Sequence, residues 1–266
     1  MTDRLLTFIH ISDTHLHTDP TYTGQFTDVV SRPGVDAMIR QINALPFDID
    51  FILHTGDVMT DPLTSDEYAL ARDVLGQLRW PVYYLSGNHD RAQAIQQVLM
   101  NRPPALITPA LNYEFDVNGV QVVCLDSSIP DPTTHHGYIS PEQLAWADQR
   151  FAANDDRPLV VGVHHHPLPL NVPWLDKIVM TNGTDLHRIL VKARHRLRGV
   201  FYGHIHENVV TVRDGVNYYS ALSGWFQTRT WHNQQMAQNE PMHNPGFNVV
   251  TLTKQDTFVR FYRVKL

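Results

Sequence analysis

The sequence predicts an α/β fold formed by one domain, residues 1–266, and three patterns support this prediction. Short apolar segments rich in β-branched residues alternate with stretches of helical periodicity. Asn-Gly and Asp-Gly pairs between further apolar segments predict antiparallel hairpins in the second half of the chain. A length of 266 residues with 42% hydrophobic content is sufficient to bury the core of such a domain.

The first half of the chain predicts parallel strands joined by helices. The predicted strands lie at 5–12, 51–55 and 82–85, and the predicted helices at 35–45 and 65–79. The helix at 35–45 follows Pro33-Gly34 and places its apolar residues on one face. Because open α/β sheets bind ligands at the carboxyl ends of their strands, polar residues that follow these strands are candidates for a functional site.

The second half adds antiparallel strands and one helix with a clear start signal. Asn118-Gly119 and Asp214-Gly215 predict tight hairpins. Ser140 is the expected N-cap of a helix that ends near 151, with Pro141 at its first position and Gln143 completing a capping box. The remaining predicted strands lie at 113–117, 120–125, 159–163, 200–202, 209–212, 216–219, 248–252 and 257–264.

The composition excludes several classes of function. The chain has 21 Lys and Arg against 27 Asp and Glu, a formal net charge of -6, which argues against binding to nucleic-acid polymers or anionic membranes. The single cysteine, Cys124, excludes an intrachain disulfide framework and is typical of a reducing compartment. No apolar run approaches the roughly 20 residues of a membrane-spanning helix. We therefore expect a cytoplasmic protein, and this charge balance is still compatible with a small anionic substrate.

Five polar clusters follow predicted strands and offer candidate metal ligands. They are Asp13-Thr14-His15, Gly56-Asp57, Gly87-Asn88-His89-Asp90, His164-His165-His166-Pro167 and Gly203-His204-Ile205-His206. Taken singly, each has an ordinary explanation as a solvated loop, a turn, a helix N-cap or a surface histidine run. Taken together, their order and their positions at strand ends favour a site for two metal ions, which Asp, Asn and His side chains can bind.

Two of the clusters need further interpretation. If the strand geometry continues through the histidine run, His164 and His166 point to one side and His165 to the other, so we expect one ligand rather than three. His204 and His206 share one side, and buried paired imidazoles need partners that a metal ion supplies.

The five clusters together resemble the signature of the calcineurin-like metallophosphoesterases, over residues 13 to 206. Within this superfamily, the residues of the motifs more closely resemble those of the bacterial class III cyclic-nucleotide phosphodiesterases, in particular the cyclic-AMP branch. Three stretches show this likeness: 11–16, 164–169 with Trp174-Leu175-Asp176, and 203–206. The resemblance implies a four-layer α/β/β/α sandwich in which two mixed β-sheets pack together with helices outside.

The resemblance also implies a role for each motif residue. The first metal would be bound by Asp13, His15 and His206, the second by Asn88, His165 and His204, and both by the bridging carboxylate of Asp57. His165 is implied because the family ligand lies two residues before the proline, so neither His164 nor His166 is needed. His89 would be the free catalytic imidazole beside the scissile phosphate, with Asp90 as a candidate to orient it. Asn88, His89 and His206 would contact the substrate.

The implied reaction is hydrolysis of 3′,5′-cyclic AMP to the 5′-monophosphate. Two ions roughly 3.5–4 Å apart lower the pKa of a bridging water, and a positioned imidazole assists the leaving alkoxide. We expect iron or manganese, although zinc and cobalt also suit these ligands. Glycerophosphodiesters, 2′,3′-cyclic nucleotides and aryl phosphates are alternative substrates. The intact ligand set argues against a third alternative, a non-catalytic interaction protein.

Substrate choice is expected to depend on residues outside the metal set. Segment 221–246 is a long loop containing Trp225, Phe226, Trp231, His232, Met236, Met242 and His243. Its aromatic side chains could stack on a nucleobase, pack against the sheet or form a subunit contact, and a homo-oligomer therefore stays open. A second candidate wall is 18–32, next to His17 and with Tyr22 and Phe26 within it.

Overall fold

The strands of the computed structural model, which describes residues 3–24, 27–129, 131, 133–151 and 154–266, form two mixed sheets. In spatial order the first sheet contains β11 (Thr257–Arg263), β10 (Gly246–Thr253), β1 (Arg4–Ile11), β2 (Phe51–His54) and β3 (Val82–Tyr84). The second contains β4 (Tyr113–Val117), β5 (Val120–Leu125), β6 (Leu159–Val163), β7 (Leu197–Tyr202), β9 (Val216–Ser220) and β8 (Val210–Arg213). Strands β1, β2 and β3 run parallel, as do β5, β6, β7 and β9.

Helices pack on one face of each sheet. They are α1 (Arg32–Asn43), α2 (Tyr68–Leu75), α3 (Ala92–Ala94, continued by a π-helical turn at Ile95–Leu99), α4 (Pro141–Arg150) and α5 (Gly183–Lys192). Val35 and Ile39 of α1 pack in one apolar cluster with Ile9 of β1. Leu186 of α5 packs in another cluster with Val161 of β6. Each sheet therefore has its own helical layer.

The opposite faces of the two sheets pack against each other. Because side chains alternate along a strand, Phe8 of β1 faces away from α1 and lies in a cluster with Phe51, Val122, Val160 and Phe201. The rings of Phe8 and Phe51 stack with centroids 4.9 Å apart, and Phe201 of the other sheet meets Phe8 edge-on at 5.1 Å. The predicted four-layer α/β/β/α sandwich is confirmed.

The turn and cap signals agree with the structure. Asn118 and Asp214 both have positive φ, 50° and 52°, and each is followed by a glycine with φ near 80°, as a type I′ hairpin turn requires. The Ser140 hydroxyl accepts a hydrogen bond from the Gln143 backbone N–H at 3.2 Å, and the Gln143 side chain accepts one from the Ser140 N–H at 2.8 Å. Both hairpins and the start of α4 are confirmed.

Other boundaries differ from the prediction. The segment expected as one helix over 65–79 is a 3₁₀ turn at Ser65–Glu67 followed by α2, which ends before Gly76 because glycine is a poor helix former. Phe26, a candidate for the second wall, lies outside the described residues. Within the described ranges, none of the helices combines the length and apolarity needed to cross a bilayer.

Candidate metal centre

The parallel strands bring the five polar clusters to one end of the sandwich. The backbone N–H of Asp13, after β1, donates to the carbonyl of Gly56, after β2, at 3.0 Å. In the second sheet the N–H of Gly203 donates to the carbonyl of His164 at 3.0 Å. The two sheets are joined at this point because the His204 N–H donates to the Asp13 carboxylate at 3.0 Å. The clusters therefore form one site at the carboxyl ends of the strands, as predicted from their placement.

The backbone at this site is unusual. Five candidate ligands have left-handed φ values between 44° and 70°, a conformation that non-glycine residues seldom adopt. They are Asp13, His15, Asp57, His204 and His206. Each such residue costs on the order of 1–3 kcal/mol and persists only where the surrounding structure determines it. Half of the ten described non-glycine residues with positive φ are thus residues that the motifs identify as ligands.

Glycines allow the clusters to approach one another closely. A Cβ on Gly87 would lie 2.1 Å from Oδ1 of Asp57, and a Cβ on Gly203 would lie 2.6 Å from Oδ2 of Asp13. Any larger residue at either position would displace a candidate carboxylate ligand. The glycines of these two motifs are therefore explained by space around the carboxylates.

One group of ligands contains Asp13, His15 and His206, all buried. Their ligand atoms converge, because Nε2 of His206 lies 3.1 Å from Nε2 of His15 and 3.3 Å from Oδ1 of Asp13. The other ring nitrogens are held by neighbours: Nδ1 of His15 by the Thr60 hydroxyl at 3.0 Å and Nδ1 of His206 by the Phe226 carbonyl at 2.9 Å. Each imidazole therefore presents Nε2 to a common point, the arrangement of an oriented metal ligand.

A second group lies on the other side of Asp57. His164, His165 and His204 offer ring nitrogens within 4.8 Å of one another. Nε2 of His204 contacts the Ile178 carbonyl at 3.2 Å, so Nδ1 is left for an ion. Nε2 of His164 lies 3.2 Å from Oδ2 of Asp57 and 3.2 Å from Oδ1 of Asn88. Asp57 therefore contacts residues of both groups, since its Oδ2 is also 3.6 Å from Nε2 of His15.

The histidine run differs from the expectation that singled out His165. Strand β6 ends at Val163, so the alternation assumed for residues 164–166 does not apply. His164 makes the direct contacts with Asp57 and Asn88, whereas His165 contacts the Ser127 hydroxyl through Nδ1 at 2.8 Å. Within the described part of the chain, Nε2 of His165 is buried without a hydrogen-bond partner. The structure thus brings both histidines to the second group, with the shorter ligand contacts at His164.

His166 is held away from the ligand groups. Its Nε2 contacts the Leu175 carbonyl at 3.2 Å, and its ring lies over that of His204 with centroids 5.8 Å apart. The expectation that His166 is not a ligand agrees with this position and stays a prediction.

The electrostatics of the site suit cations. Burial would raise the pKa of Asp13 and Asp57, but neighbouring histidines reverse this, and they lower the pKa of Asp13 to about 2 and that of Asp57 well below its usual value. Burial lowers the pKa of His15 to about 3, and it depresses the pKa values of His165 and His204 well below the usual value. Ionised carboxylates and neutral imidazoles are the forms that bind metals.

The space between the His164 ring and the carboxylates of Asp13 and Asp57 favours a positive charge. Burial opposes protonation of His164, yet the charges of Asp57 and Asp13 raise its pKa to about 9. A metal ion placed there would satisfy the same carboxylates that stabilise the proton. The ligand atoms of the two buried groups converge, and carboxylate oxygens and ring nitrogens are suitable donors, so the residues present fit two metal ions.

His89 lies beside the two ligand groups, and one of its ring nitrogens is within 4.8 Å of ligand atoms of His15 and Asp57. Its Nδ1 is 2.8 Å from Oδ1 of Asp61, and its backbone N–H donates to Oδ1 of Asp57 at 2.9 Å. Burial would lower the pKa of His89, but the charges of Asp57 and Asp61 raise it to about 9. With Nδ1 paired to Asp61, Nε2 is the nitrogen left for a substrate.

The interpretation that Asp90 orients His89 is wrong. The Asp90 carboxylate accepts hydrogen bonds from the N–H groups of Val58, Met59 and Gly87, at 2.9, 3.0 and 3.1 Å. It also accepts one from the Tyr68 hydroxyl at 3.0 Å. Burial and the charge of Asp57 raise the pKa of Asp90 to about 7. Asp90 therefore ties together the loops after β2 and β3, and Asp61 takes the orienting position.

Sequence reasoning also missed His135. Oδ1 of Asn88 faces His164, so its Nδ2 is the group 3.3 Å from Nδ1 of His135 and donates to it. The proton of a neutral His135 then lies on Nε2. Neither His135 nor Asp61 belongs to a strand-end cluster, and the available signal was only their polarity in loops near the motifs.

A cavity of about 290 Å³ opens onto the ligands. Its wall includes four aromatic side chains, Tyr22, Trp174, Trp225 and Phe226. No lysine or arginine appears among the described residues that line it. Of the aromatic residues expected in segment 221–246, Trp225 and Phe226 reach this wall. Trp231, Met236 and Met242 are 63%, 74% and 82% exposed.

Comparison with known proteins identifies the family. The family model for the calcineurin-like phosphoesterases matches residues 6–208, which is most of the chain. The chain belongs to the calcineurin-like phosphoesterase family. Membership in this family and the similar fold of a solved structure confirm the expectation of two mixed sheets flanked by helices. Membership and the relatives below also confirm the expectation of a metal-dependent phosphodiesterase. The family also implies two metal ions.

Individual relatives show similarity over most of this calcineurin-like chain. It is 32% identical over 206 residues to glycerophosphodiester phosphodiesterase GpdQ of Enterobacter lignolyticus, covering 76% of this chain and 71% of that one. It is 30% identical over 201 residues to 3′,5′-cyclic adenosine monophosphate phosphodiesterase CpdA of Escherichia coli K12, covering 76% and 70%. A dimetal phosphatase from Danio rerio has a similar fold, with a TM-score of 0.64, 15% identity and coverage of 97% and 99%.

Proposed function

We propose that this chain hydrolyses 3′,5′-cyclic AMP to the 5′-monophosphate at a centre of two metal ions. The supporting observation is the cavity lining, which combines the candidate ligands with four aromatic side chains and, among described residues, contains no lysine or arginine. A phosphodiester carries one negative charge, whereas a phosphomonoester carries about −1.5 to −2 near pH 7. A cavity that adds no lysine or arginine to the ligands and His89 suits the diester, and its aromatic rings suit a nucleobase.

The proposed ligand sets follow the two groups of contacts. Asp13, His15 and His206 would bind the first ion, Asp57 would bridge, and Asn88 with His204 would bind the second ion. For the remaining ligand of the second ion we propose His164 rather than His165, because His164 lies 3.2 Å from both Asp57 and Asn88. Iron, manganese, zinc and cobalt all suit these nitrogen and oxygen donors.

The residues around the ions would then position the phosphodiester and move a proton. When bound, the two ions would polarise the phosphoryl oxygens and supply a hydrolytic nucleophile at neutral pH. Nε2 of His89 would donate a proton to the leaving oxygen, while Asp61 holds Nδ1 and fixes the ring. Asn88 and His206, which also line the cavity, would contact the phosphate. Segment 221–246 would form the wall for the rest of the substrate through Trp225 and Phe226.

A second candidate substrate is a glycerophosphodiester. The specific observation in its favour is the 32% identity to glycerophosphodiester phosphodiesterase GpdQ. The same metal centre could cleave such a diester because most of its contacts involve the phosphate. The two candidates differ in what the aromatic wall would contact, a purine ring or a short alcohol.

A substrate panel tests the proposal. We would measure kcat/KM for 3′,5′-cyclic AMP, 2′,3′-cyclic AMP, glycerophosphocholine and bis(4-nitrophenyl) phosphate, with the metal content determined on the same samples. Among the three substrates that expel an alkoxide, we expect the highest kcat/KM for 3′,5′-cyclic AMP, and bis(4-nitrophenyl) phosphate reports only that the metal centre is active. A higher value for glycerophosphocholine would select the second candidate. No turnover of any diester with two ions bound per chain would overturn both.

Replacing His164 or His165 with alanine discriminates between the two possible ligands. We expect His164→Ala to lose one ion per chain and to lower kcat/KM about 100-fold or more, because the second ion loses a direct ligand. His165→Ala is the matched control, since both side chains are fully buried and adjacent. It should keep two ions. Metal analysis by mass spectrometry reads the difference, and loss of an ion only from His165→Ala would reverse the assignment.

Asp61→Asn tests the orienting role of Asp61. The asparagine amide has the same volume but lacks the negative charge that pairs with the protonated Nδ1 of His89. We therefore expect kcat to fall roughly 10-fold, while KM and metal content stay unchanged. Asp61→Glu should restore part of the loss. An Asp61→Asn enzyme with unaltered kcat on a cyclic nucleotide would show that the 2.8 Å contact with His89 has no catalytic consequence.

A further inference from the structure

A hairpin-like segment, residues 227–240, forms one wall of the cavity, and we call it the flap. The Arg229 N–H donates to the Gln238 carbonyl at 3.0 Å, and the Glu240 N–H donates to the Gln227 carbonyl at 2.8 Å. Between these bonds Thr228 and Asn239 form an antiparallel bridge. A salt bridge of 3.0 Å between Arg229 and Glu240 also joins the two arms.

The flap is fixed relative to the metal centre. The Thr228 N–H donates to the carbonyl of His206, a candidate ligand, at 3.1 Å. The Thr228 hydroxyl donates to the Ile205 carbonyl at 2.5 Å. Trp174 holds the outer part, since its backbone N–H and indole N–H donate to the carbonyls of Gln234 and Arg229, each at 3.3 Å. A group on the flap is therefore held at a defined position relative to the phosphate.

Asn239 is a flap residue with a free polar group at the cavity, as is its neighbour Gln238, and the pairing across the flap sets the direction of the Asn239 side chain. Directly paired residues of an antiparallel bridge place their side chains on the same face, and both Thr228 and Asn239 line the cavity. The Thr228 hydroxyl is already used by Ile205. The side-chain amide of Asn239 is half-buried and makes no hydrogen bond to any other described residue. It thus offers an unused donor and an unused acceptor in the cavity that Trp225 and Phe226 also line.

We infer that Asn239 recognises the base of a cyclic nucleotide and selects adenine, an inference that rests on the proposed function. The amide of asparagine can pair with adenine through both of its groups, since N6 donates and N7 accepts. Guanine presents two acceptors at the same edge, O6 and N7, so only the amide N–H can be satisfied. Stacking of the ring on Trp225 or Phe226 would be insensitive to the base, so discrimination needs a polar group such as the Asn239 amide.

The test compares substrates with and without the adenine edge. We would measure kcat/KM of the metal-loaded enzyme for 3′,5′-cyclic AMP, 3′,5′-cyclic GMP, the cyclic phosphate of purine riboside, which lacks the N6 amine, and bis(4-nitrophenyl) phosphate. Asn239→Ala should lower kcat/KM for cyclic AMP about 10-fold and leave the other three values nearly unchanged. Gln235→Ala, an exposed amide elsewhere on the flap, is the matched control and should change none of them.

The outcomes separate this inference from the proposed function. If the wild-type enzyme prefers cyclic AMP and Asn239→Ala keeps that preference in full, Asn239 does not read the base although the proposed function stands. An equal loss on all four substrates would assign Asn239 to the shape of the flap and would also overturn the inference. If the wild-type enzyme cleaves bis(4-nitrophenyl) phosphate but turns over none of the cyclic nucleotides, the proposed function fails first.

Discussion

Asp57→Asn should remove both metal ions and lower phosphodiester turnover by a factor on the order of 10³ or more. Asp57 is the carboxylate that contacts both ligand groups, with Oδ2 3.6 Å from His15 and 3.2 Å from His164. Asparagine keeps the shape, can still accept the hydrogen bond from the His89 N–H, and tolerates the left-handed φ of 51°. The change therefore removes charge from the site with little effect on its geometry.

The measurements are metal content, kcat/KM and thermal unfolding with and without added metal. In the wild-type protein, bound ions should raise the unfolding temperature because they bind only the folded state, and Asp57→Asn should lose that rise. Unfolding of the metal-free proteins should be similar, since the repulsion between Asp13 and Asp57 is also relieved. Asp48→Asn is the control, because Asp48 is an exposed carboxylate that precedes the first residue of β2, at the end of the strand away from the site. One ion retained tightly by Asp57→Asn would show that Asp57 does not bridge.

The strand ends and turns could be predicted because local chemistry determines them. Asn118-Gly119 and Asp214-Gly215 need no tertiary contact to favour a hairpin, and the Ser140 cap with Gln143 is formed within four residues. Helix α5 was not predicted, although Leu186 and Leu190 are buried at helical spacing. Its apolar face is short and follows a polar turn, so the pattern becomes informative only when the second sheet is present to cover it.

The site was predictable as a set of motifs but not as a set of contacts. Placement at the ends of parallel strands required Asp13, Asp57 and His204 to converge, and they do. The choice among the three histidines depends on where β6 ends and how the chain turns after Val163, which strand alternation cannot describe. The partner of His89 depends on a loop that returns Asp61 to the ring from 28 positions earlier. Such long-range pairs have no periodic signal.

His89→Ala should leave two ions per chain and lower kcat for cyclic AMP by about 10²–10⁴, the contribution of a positioned proton donor. Metal content should not change because Nδ1 of His89 faces Asp61, and Asp57 keeps its contacts with His15 and His164. His195→Ala, at an exposed histidine before the opposite end of β7, is the matched control and should be indistinguishable from the wild type.

The leaving group provides the sharper test of this role. Cleavage of 3′,5′-cyclic AMP expels an alkoxide, which needs a proton, whereas bis(4-nitrophenyl) phosphate expels a stable phenolate that does not. If His89 donates a proton, His89→Ala should lose far more activity on the cyclic nucleotide than on the aryl ester. Equal losses on both substrates would instead assign His89 to binding the phosphate. Loss of an ion together with activity would show that His89 is a ligand. The 2.8 Å contact between its Nδ1 and Asp61 argues against that role.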